Sequence, residues 1–324
     1  MRSPRLEELP PPPEGKTGWP WTVDSDPLPD LMPDGFAWPK ISVVTPSYNQ
    51  AQFIEETIRS VLLQGYPNLE FIIIDGSSTD NTLEIIKKYE PWITYWVSEP
   101  DRGQSHAINK GIVKATGAIL FWLNSDDLVL PGAFERVAKN FMDNPETKMV
   151  IGQVKVIDAQ ANEISELFSD FTTWEDLITS PYNKVRQVST FFARSLFDEC
   201  GLINEGIEIA MDIELFSRLT RNHKPTVISD FVSAFRVQGQ SKSFLNIIQG
   251  YKEVDRFRKQ LLKGNNLLPK YSAASSENWL NLAKQEKFDK SDRIDCLKHA
   301  VRINPKIILK RKFWLLIPSI LMKQ

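Results

Sequence analysis

The run Ile119-Leu120-Phe121-Trp122-Leu123 carries no charge and stops at once in Asn124-Ser125-Asp126-Asp127. A short run that is apolar throughout reads as a strand buried on both faces, in the middle of a sheet. Carboxylates at the C-terminal end of such a strand constrain the fold, because ligands bind along that edge in open α/β sheets. Two adjacent carboxylates there offer hard oxygen ligands to a divalent cation. The same residues also suit a polar turn in which Asp127 caps a following helix, and the stretch alone leaves both uses open.

Upstream, the same grammar repeats. Lys40 to Pro46 predicts a β-branched strand, followed by the polar loop Ser47–Gln50. Ile54, Ile58, Val61 and Leu62 are spaced for one buried helical face. A second strand, Leu69 to Asp75, runs into Gly76-Ser77-Ser78-Thr79-Asp80-Asn81, which is loop and helix-cap chemistry. Leu83 to Tyr89 predicts a helix, Trp92 to Val97 a strand ending at Glu99–Gly103, and Ser105 to Thr116 a helix closed by Gly117. Strand and helix alternate up to the run at Ile119, which predicts a mostly parallel sheet with right-handed crossovers. The loops Ser47–Gln50, Asp75–Asp80, Glu99–Gly103 and Asn124–Asp127 then gather on one edge. No G-x-G-x-x-G follows the first strand and no P-loop motif occurs, so a metal is the natural partner for phosphates here.

Composition narrows the class. Hydrophobic content of 42% and charged content of 25% are those of a globular protein, and 324 residues suggest one large domain with additions, or two domains. A net charge of −2 gives no global basic field for nucleic acid. Two cysteines without metal-ligand spacing fit a reducing compartment, and three histidines argue against a histidine-rich metal site. No apolar core follows the first basic residues and no run of 18 apolar residues occurs, so neither a secretory leader nor a spanning helix is expected.

Residues 1–39 form a proline-rich arm in which helix and strand are disfavoured. Trp19, Trp21 and Trp38 are unusual in a disordered leader and suit an arm pinned to the following domain, with a floppy leader as the alternative. After the sheet's early half, Leu130 to Phe141 predicts a helix, Met149 to Ile157 a strand with a return at Ile164–Phe168, and Ile209 to Leu219 a helix beginning with acids. Pro225–Ile228 and Phe231–Val237 read as two more strands. From residue 243 the pattern is helical. The tail joins Lys310-Arg311-Lys312 to an aromatic and aliphatic segment, which suits either membrane-surface docking or a terminal helix covering a core edge.

Val43 to Gln50, Ile73 to Asp80, Glu99 to Gly111, Leu123 to Asp127 and Ala210 to Leu215 resemble, in order, the successive motifs of family 2 glycosyltransferases. The likeness covers residues 40 to 240. It implies a GT-A type, Rossmann-like α/β fold: a mostly parallel sheet flanked by helices over residues 40–242, with the arm at 1–39 and a helical extension at 243–324. It also implies inverting transfer of a sugar from a nucleotide donor, with Mn²⁺ or Mg²⁺ as cofactor. Asp75 matches the nucleobase contact, where a carboxylate accepting the uracil N3–H favours a UDP-sugar. Thr45, Pro46 and Tyr48 match the loop beneath the base, and Asp101 and Arg102 match a loop lining the nucleotide. Asn124-Ser125-Asp126 occupies the D-x-D position, with Asn124 in place of the first aspartate, so Asn124 and Ser125 are left to the nucleotide. The metal then falls to Asp126, with Asp127 in support. Asp212 matches the catalytic base, although Met211 stands where an acid usually precedes it, and Glu214 is the fallback. Gln238 stands where a late motif often carries histidine. Gln187, Ser189 and Thr190 are candidate acceptor residues, or core.

The implied partners are the sugar nucleotide and a glycan or lipid-linked hydroxyl acceptor; the composition of the tail, read apart from the resemblance, leaves open a peripheral contact with the inner face of the membrane, from the cytoplasm. Cell-surface polysaccharide synthesis is the expected setting. A sugar nucleotidyltransferase would share the sheet but should carry a glycine-rich loop where Thr45 to Asn49 stand. A sugar-nucleotide-binding protein with decayed catalysis is kept open by Asn124 and Met211.

Overall fold

The computed structural model describes residues 1–180, 185–239 and 242–321. They fall into two compact units, residues 1–171 with 185–245, and residues 172–184 with 246–324. In chain order the elements are β1 (Ile41–Ser47), α1 (Ile54–Leu62), β2 (Leu69–Asp75), α2 (Thr82–Lys88), β3 (Tyr95–Ser98), α3 (Gln104–Lys114), β4 (Ile119–Trp122) and β5 (Leu128–Val129). There follow α4 (Ala133–Asp143), β6 (Met149–Ile157), β7 (Glu163–Leu167), α5 (Trp174–Thr179), β8 (Thr190–Ala193), α6 (Ser195–Cys200), α7 (Met211–Leu219), β9 (Thr226–Arg236) and α8 (Lys242–Leu245). The helices α9 (Ile247–Leu261), α10 (Leu268–Ala283), α11 (Lys290–Ile303) and α12 (Arg311–Leu321) complete the chain.

The first unit is built on one sheet of order β3-β2-β1-β4-β8-β6-β9-β5, with β7 paired to β6. The β3-β2-β1-β4 half is parallel throughout, as the strand-helix alternation predicts. Every residue of β1, β2 and β4 is buried, which is what a central parallel strand covered on both faces requires. Beyond β4 the sheet turns antiparallel through β8, and Phe121 stacks on Phe191 across that junction at 4.0 Å. Two strand expectations shift. The third strand begins at Tyr95 rather than Trp92, because Pro91 holds Glu90–Trp92 in a 3-10 turn. The two strands expected after Pro225 are one, β9, which runs parallel to β6 with register shifts around Gln153.

The arm packs on this unit. Trp21 and Trp38 are buried, and the Trp19 indole donates to the Val129 carbonyl at 2.9 Å. Burying one large apolar side chain contributes about 1.5–3 kcal/mol, comparable to ordering the backbone of one or two residues at about 1–2 kcal/mol each. Tryptophans alone would therefore not hold 39 residues. Arg59 on α1 supplies further anchorage, with its guanidinium donating to the carbonyls of Pro10, Pro20 and Trp21 and to the Tyr89 hydroxyl.

The second unit is helical. Trp279, Leu280, Ala283, Cys296, Ala300, Ile307, Phe313 and Ile320 share its core. Asp255 is buried within it, accepting from Tyr271, Ser275 and Trp279. No helix among the described residues is long and apolar enough to cross a membrane.

Candidate active site

All four strand-end loops meet at one cavity of about 590 Å³ on the C-terminal edge of the parallel half-sheet. Ser47 ends β1 and Tyr48 and Gln50 come from the loop after it, Gly76 from the loop after β2, Pro100 and Asp101 from that after β3, and Asn124, Ser125 and Asp126 from that after β4. Arg236 and Gln238, at the end of β9, close the opposite wall.

Local hydrogen bonds set the loops. Asn49 takes a left-handed conformation, its side chain accepts from Thr79 N, and its own N–H donates to Ser78 Oγ. Asp75, fully buried at the end of β2, accepts from Ser78 N, Ser78 Oγ and Ser98 Oγ. Gly76 lies close to the Asp101 side chain: a Cβ there would lie 2.5 Å from Asp101 Oδ2, which would have to turn away. Thr45 is fully buried beneath this loop, and its hydroxyl has no partner among the described residues.

Asn124 Oδ1 accepts from Gln104 Nε2 at 2.9 Å and Trp122 Nε1 at 2.8 Å, which turns the amide nitrogen toward Asp127 Oδ2 at 3.3 Å. An aspartate at 124 would face Asp127 with like charge, whereas the asparagine donates to it. Asp127 is buried and accepts the Arg236 backbone N–H at 2.9 Å. Burial, and then the neighbouring Asp126 charge, push its carboxyl well above the usual range. Asp126 faces the cavity and accepts from Gln238 Nε2 at 2.7 Å; burial raises its pKa, with the Gln238 bond working the other way. Of the two acids, Asp126 is therefore the one presented to a ligand and Asp127 the one built into the wall.

Arg236 was legible only as part of a motif, and Glu56 not at all. The Arg236 side chain is fully buried; it donates to Glu56 Oε2 at 2.7 Å, to Asp126 O at 2.8 Å and to Asp158 O at 3.0 Å, and lies over the Phe53 ring. The signal that could have found Glu56 is an acid set among buried positions of an amphipathic helix, where a charge needs a partner.

Asp212 lies in the first turn of α7, half-buried, and its Oδ1 accepts from Ile213 N at 2.8 Å. Burial pushes its carboxyl up to about 6, against the pull of that N–H and of the Arg186 charge. Phe192 of β8 stacks on Phe216 of α7, and Met211 Sδ receives Ser105 Oγ, so α7 is fixed between the sheet and α3. Glu214 is clamped by Arg218, with Nε to Oε1 at 2.7 Å and Nη2 to Oε2 at 3.2 Å.

The remaining candidates divide. Gln187 is half-buried and donates to Trp122 O, with its Oε1 at 3.5 Å from Asn124 Nδ2. Ser189 and Thr190 are fully buried, their hydroxyls bonded to the Arg186 carbonyl. Arg102 directs its guanidinium to Glu205 at 2.7 Å and lines a separate cavity with His106. Pro46 and Tyr48 line the main cavity, Tyr48 being well exposed. Among the described residues no group of three His, Cys, Asp or Glu side chains converges as a closed metal site.

Residues 42–196 match the family model described as "Glycosyl transferase family 2". An uncharacterized glycosyltransferase of Rickettsia conorii is 28% identical over 197 residues, covering 56% of this chain and 31% of that protein. The chain thus spans about a third of the length of the first curated relatives it matches. Among solved structures, S. aureus TarS 1–349 in complex with UDP-GlcNAc superposes with a TM-score of 0.55 at 18% identity, covering 83% of this chain and 82% of that one. The mannosyltransferase PcManGT from Pyrobaculum calidifontis, in complex with GDP-Man and Mn²⁺, does so with a TM-score of 0.53 at 19% identity, covering 91% of each. Over residues 42–196 this chain is similar to the family 2 glycosyltransferases, and its fold is of the GT-A type.

Proposed function

We propose that the chain transfers a sugar from a UDP-sugar to a hydroxyl acceptor with inversion at the anomeric carbon. The observation that carries this is the convergence of four strand-end loops on one cavity with Asp126 open to it. Its volume, about 590 Å³, lies in the range of small-molecule sites, about 300–1,000 Å³. Solved neighbours hold UDP-GlcNAc in one case and GDP-Man in the other, so the fold alone does not choose the base. Asp75 favours uracil: three hydrogen bonds are already made to it, and a carboxylate accepts about four. One remaining lone pair suits the single imide N–H of uracil better than the paired donors of guanine.

Mn²⁺ or Mg²⁺ fits the residues present. Such an ion is commonly held by one or two carboxylates together with substrate phosphates rather than by a protein cage. Asp126 is the ligand on offer, Asp127 and Gln238 orient it, and the buried acid pair raises each other's affinity for positive charge. When bound, the ion supplies neutralisation of the departing diphosphate. Asn124 and Ser125 line the nucleotide beside it.

Asp212 takes the acceptor hydroxyl's proton as that oxygen attacks the anomeric carbon. A carboxylate with its pKa near 6 is a stronger base than an ordinary one and still ionised at neutral pH. Gln187 is the acceptor-side candidate, the acceptor being a glycan or lipid-linked hydroxyl of the kind used in polysaccharide synthesis. A peripheral membrane contact is supported by exposed Leu309, Trp314 and Leu315 beside Lys306 and Arg311. Because Phe313 and Ile320 of the same tail are core residues, its test is the triple serine variant of Leu309, Trp314 and Leu315 in liposome flotation. Unchanged flotation would remove that contact. The transfer itself is tested by release of UDP from UDP-sugars with Mn²⁺ present: turnover is expected, and binding without turnover would leave a sugar-nucleotide-binding protein instead.

A further inference from the structure

The second unit has a charge pattern that the donor site does not use. Residues 246–324 hold 17 lysines and arginines against 7 aspartates and glutamates, in a chain whose net charge is −2. Part of this excess lines a cavity of about 550 Å³ between α9 and α11. Lys252, Asp255, Arg256 and Lys259 reach it from α9, and Asp295, Lys298, His299 and Arg302 from α11. Both sets run i, i+3, i+4, i+7, the spacing of a single helical face. A helix pair normally buries apolar side chains along such faces. Here five cations face two acids. Asp255 is taken up by its buried donors, with His299 Nε2 at 3.4 Å, and Asp295 lies 3.9 Å from both Lys252 and Lys298. Among the described residues no carboxylate pairs with Arg256, Lys259 or Arg302. Like charges at these spacings repel, so the face favours a bound anion.

Next to this cavity lies a second of about 420 Å³, lined by Ile294, Leu297, Val301, Phe313, Ile317 and Ile320. Lys298 belongs to both linings. A basic chamber therefore opens beside an apolar groove, with one lysine at their junction. We infer that this unit binds a lipid phosphate: its phosphate headgroup lies among Arg256, Lys259, Lys298 and Arg302, and its hydrocarbon chain in the groove between α11 and α12. A soluble phosphate would fill only the chamber and a neutral amphiphile only the groove, so charge and apolar complementarity together select a molecule with both parts. The inference is independent of the donor site, and loss of UDP binding would not affect it.

The test is calorimetric titration of the full chain with decyl phosphate below its micellar concentration, beside inorganic pyrophosphate and decyl maltoside. Decyl phosphate is expected to bind at least ten-fold more tightly than either. The triple variant R256Q/K259Q/R302Q, which alters no paired or core side chain, is expected to lose at least ten-fold of that affinity with an unchanged melting temperature. Equal binding of pyrophosphate would reduce the site to a soluble-anion chamber, and equal binding of decyl maltoside would reduce it to an apolar patch. Either result, or an unaltered affinity in the triple variant, overturns the proposal.

Discussion

Gln238 Nε2 donates to Asp126 Oδ2 across 2.7 Å, tying the segment after β9 to the loop after β4. The bond lowers the proton affinity of the carboxylate proposed as the metal ligand and fixes its direction. Partners of this kind commonly change metal affinity about 10- to 100-fold when removed. Gln238→Ala is therefore expected to weaken Mn²⁺-dependent UDP binding by that order. Gln238→His, which places a nitrogen ligand within reach, should recover it. Calorimetry with and without Mn²⁺ checks both.

As the proposed base, Asp212 is expected to govern the pH profile. Its carboxyl is raised to about 6 in the folded protein, so it is protonated below that value and ionised above it. A base works in its ionised form, so kcat/KM should rise with pH through about 6 and level off above 7. Asp212→Asn should lower transfer by about 10²–10⁴ while UDP binding stays within two-fold. A pH limb that persists unchanged in Asp212→Asn would remove the assignment.

The Glu56–Arg236 pair is buried on both sides, with Arg236 fully enclosed. Removing one partner strands the other charge, which typically costs about 3–5 kcal/mol. Glu56→Ala should lower the urea midpoint accordingly. It should also loosen the Asp126–Asp127 loop, because Arg236 donates to Asp126 O and its backbone N–H to Asp127.

A Cβ at Gly76 would lie 2.5 Å from Asp101 Oδ2, so that carboxylate would have to turn away. Gly76→Val should displace the Asp101 loop and weaken UDP binding while changing the melting temperature little, since the loop is peripheral to the core. Equal UDP affinity would mean the two loops do not share a ligand.

Much of the fold was legible because each parallel strand is a charge-poor run that ends in a polar loop, and that pattern has few solutions. The convergence of loops at Ser47, Gly76, Asp101 and Asp126 followed from topology. What the sequence concealed was side-chain direction. Asp126 and Asp127 are adjacent and chemically identical, yet one faces the cavity and the other accepts the backbone N–H of Arg236, more than a hundred residues away. Arg102 sits in a donor-like motif but is drawn to Glu205, a partner set by tertiary packing. Ser189 and Thr190 turn their hydroxyls back to Arg186 O, a local bond open to any Ser or Thr near a turn.

Asp126, open to the cavity, is proposed to anchor a metal-dependent UDP site. Titrating UDP into the protein with Mn²⁺, with EDTA, and into Asp126→Ala with Mn²⁺ tests it most directly. Binding with Mn²⁺ that is lost in the other two titrations is the predicted result. Binding of equal strength in all three, or none with Mn²⁺, would contradict it.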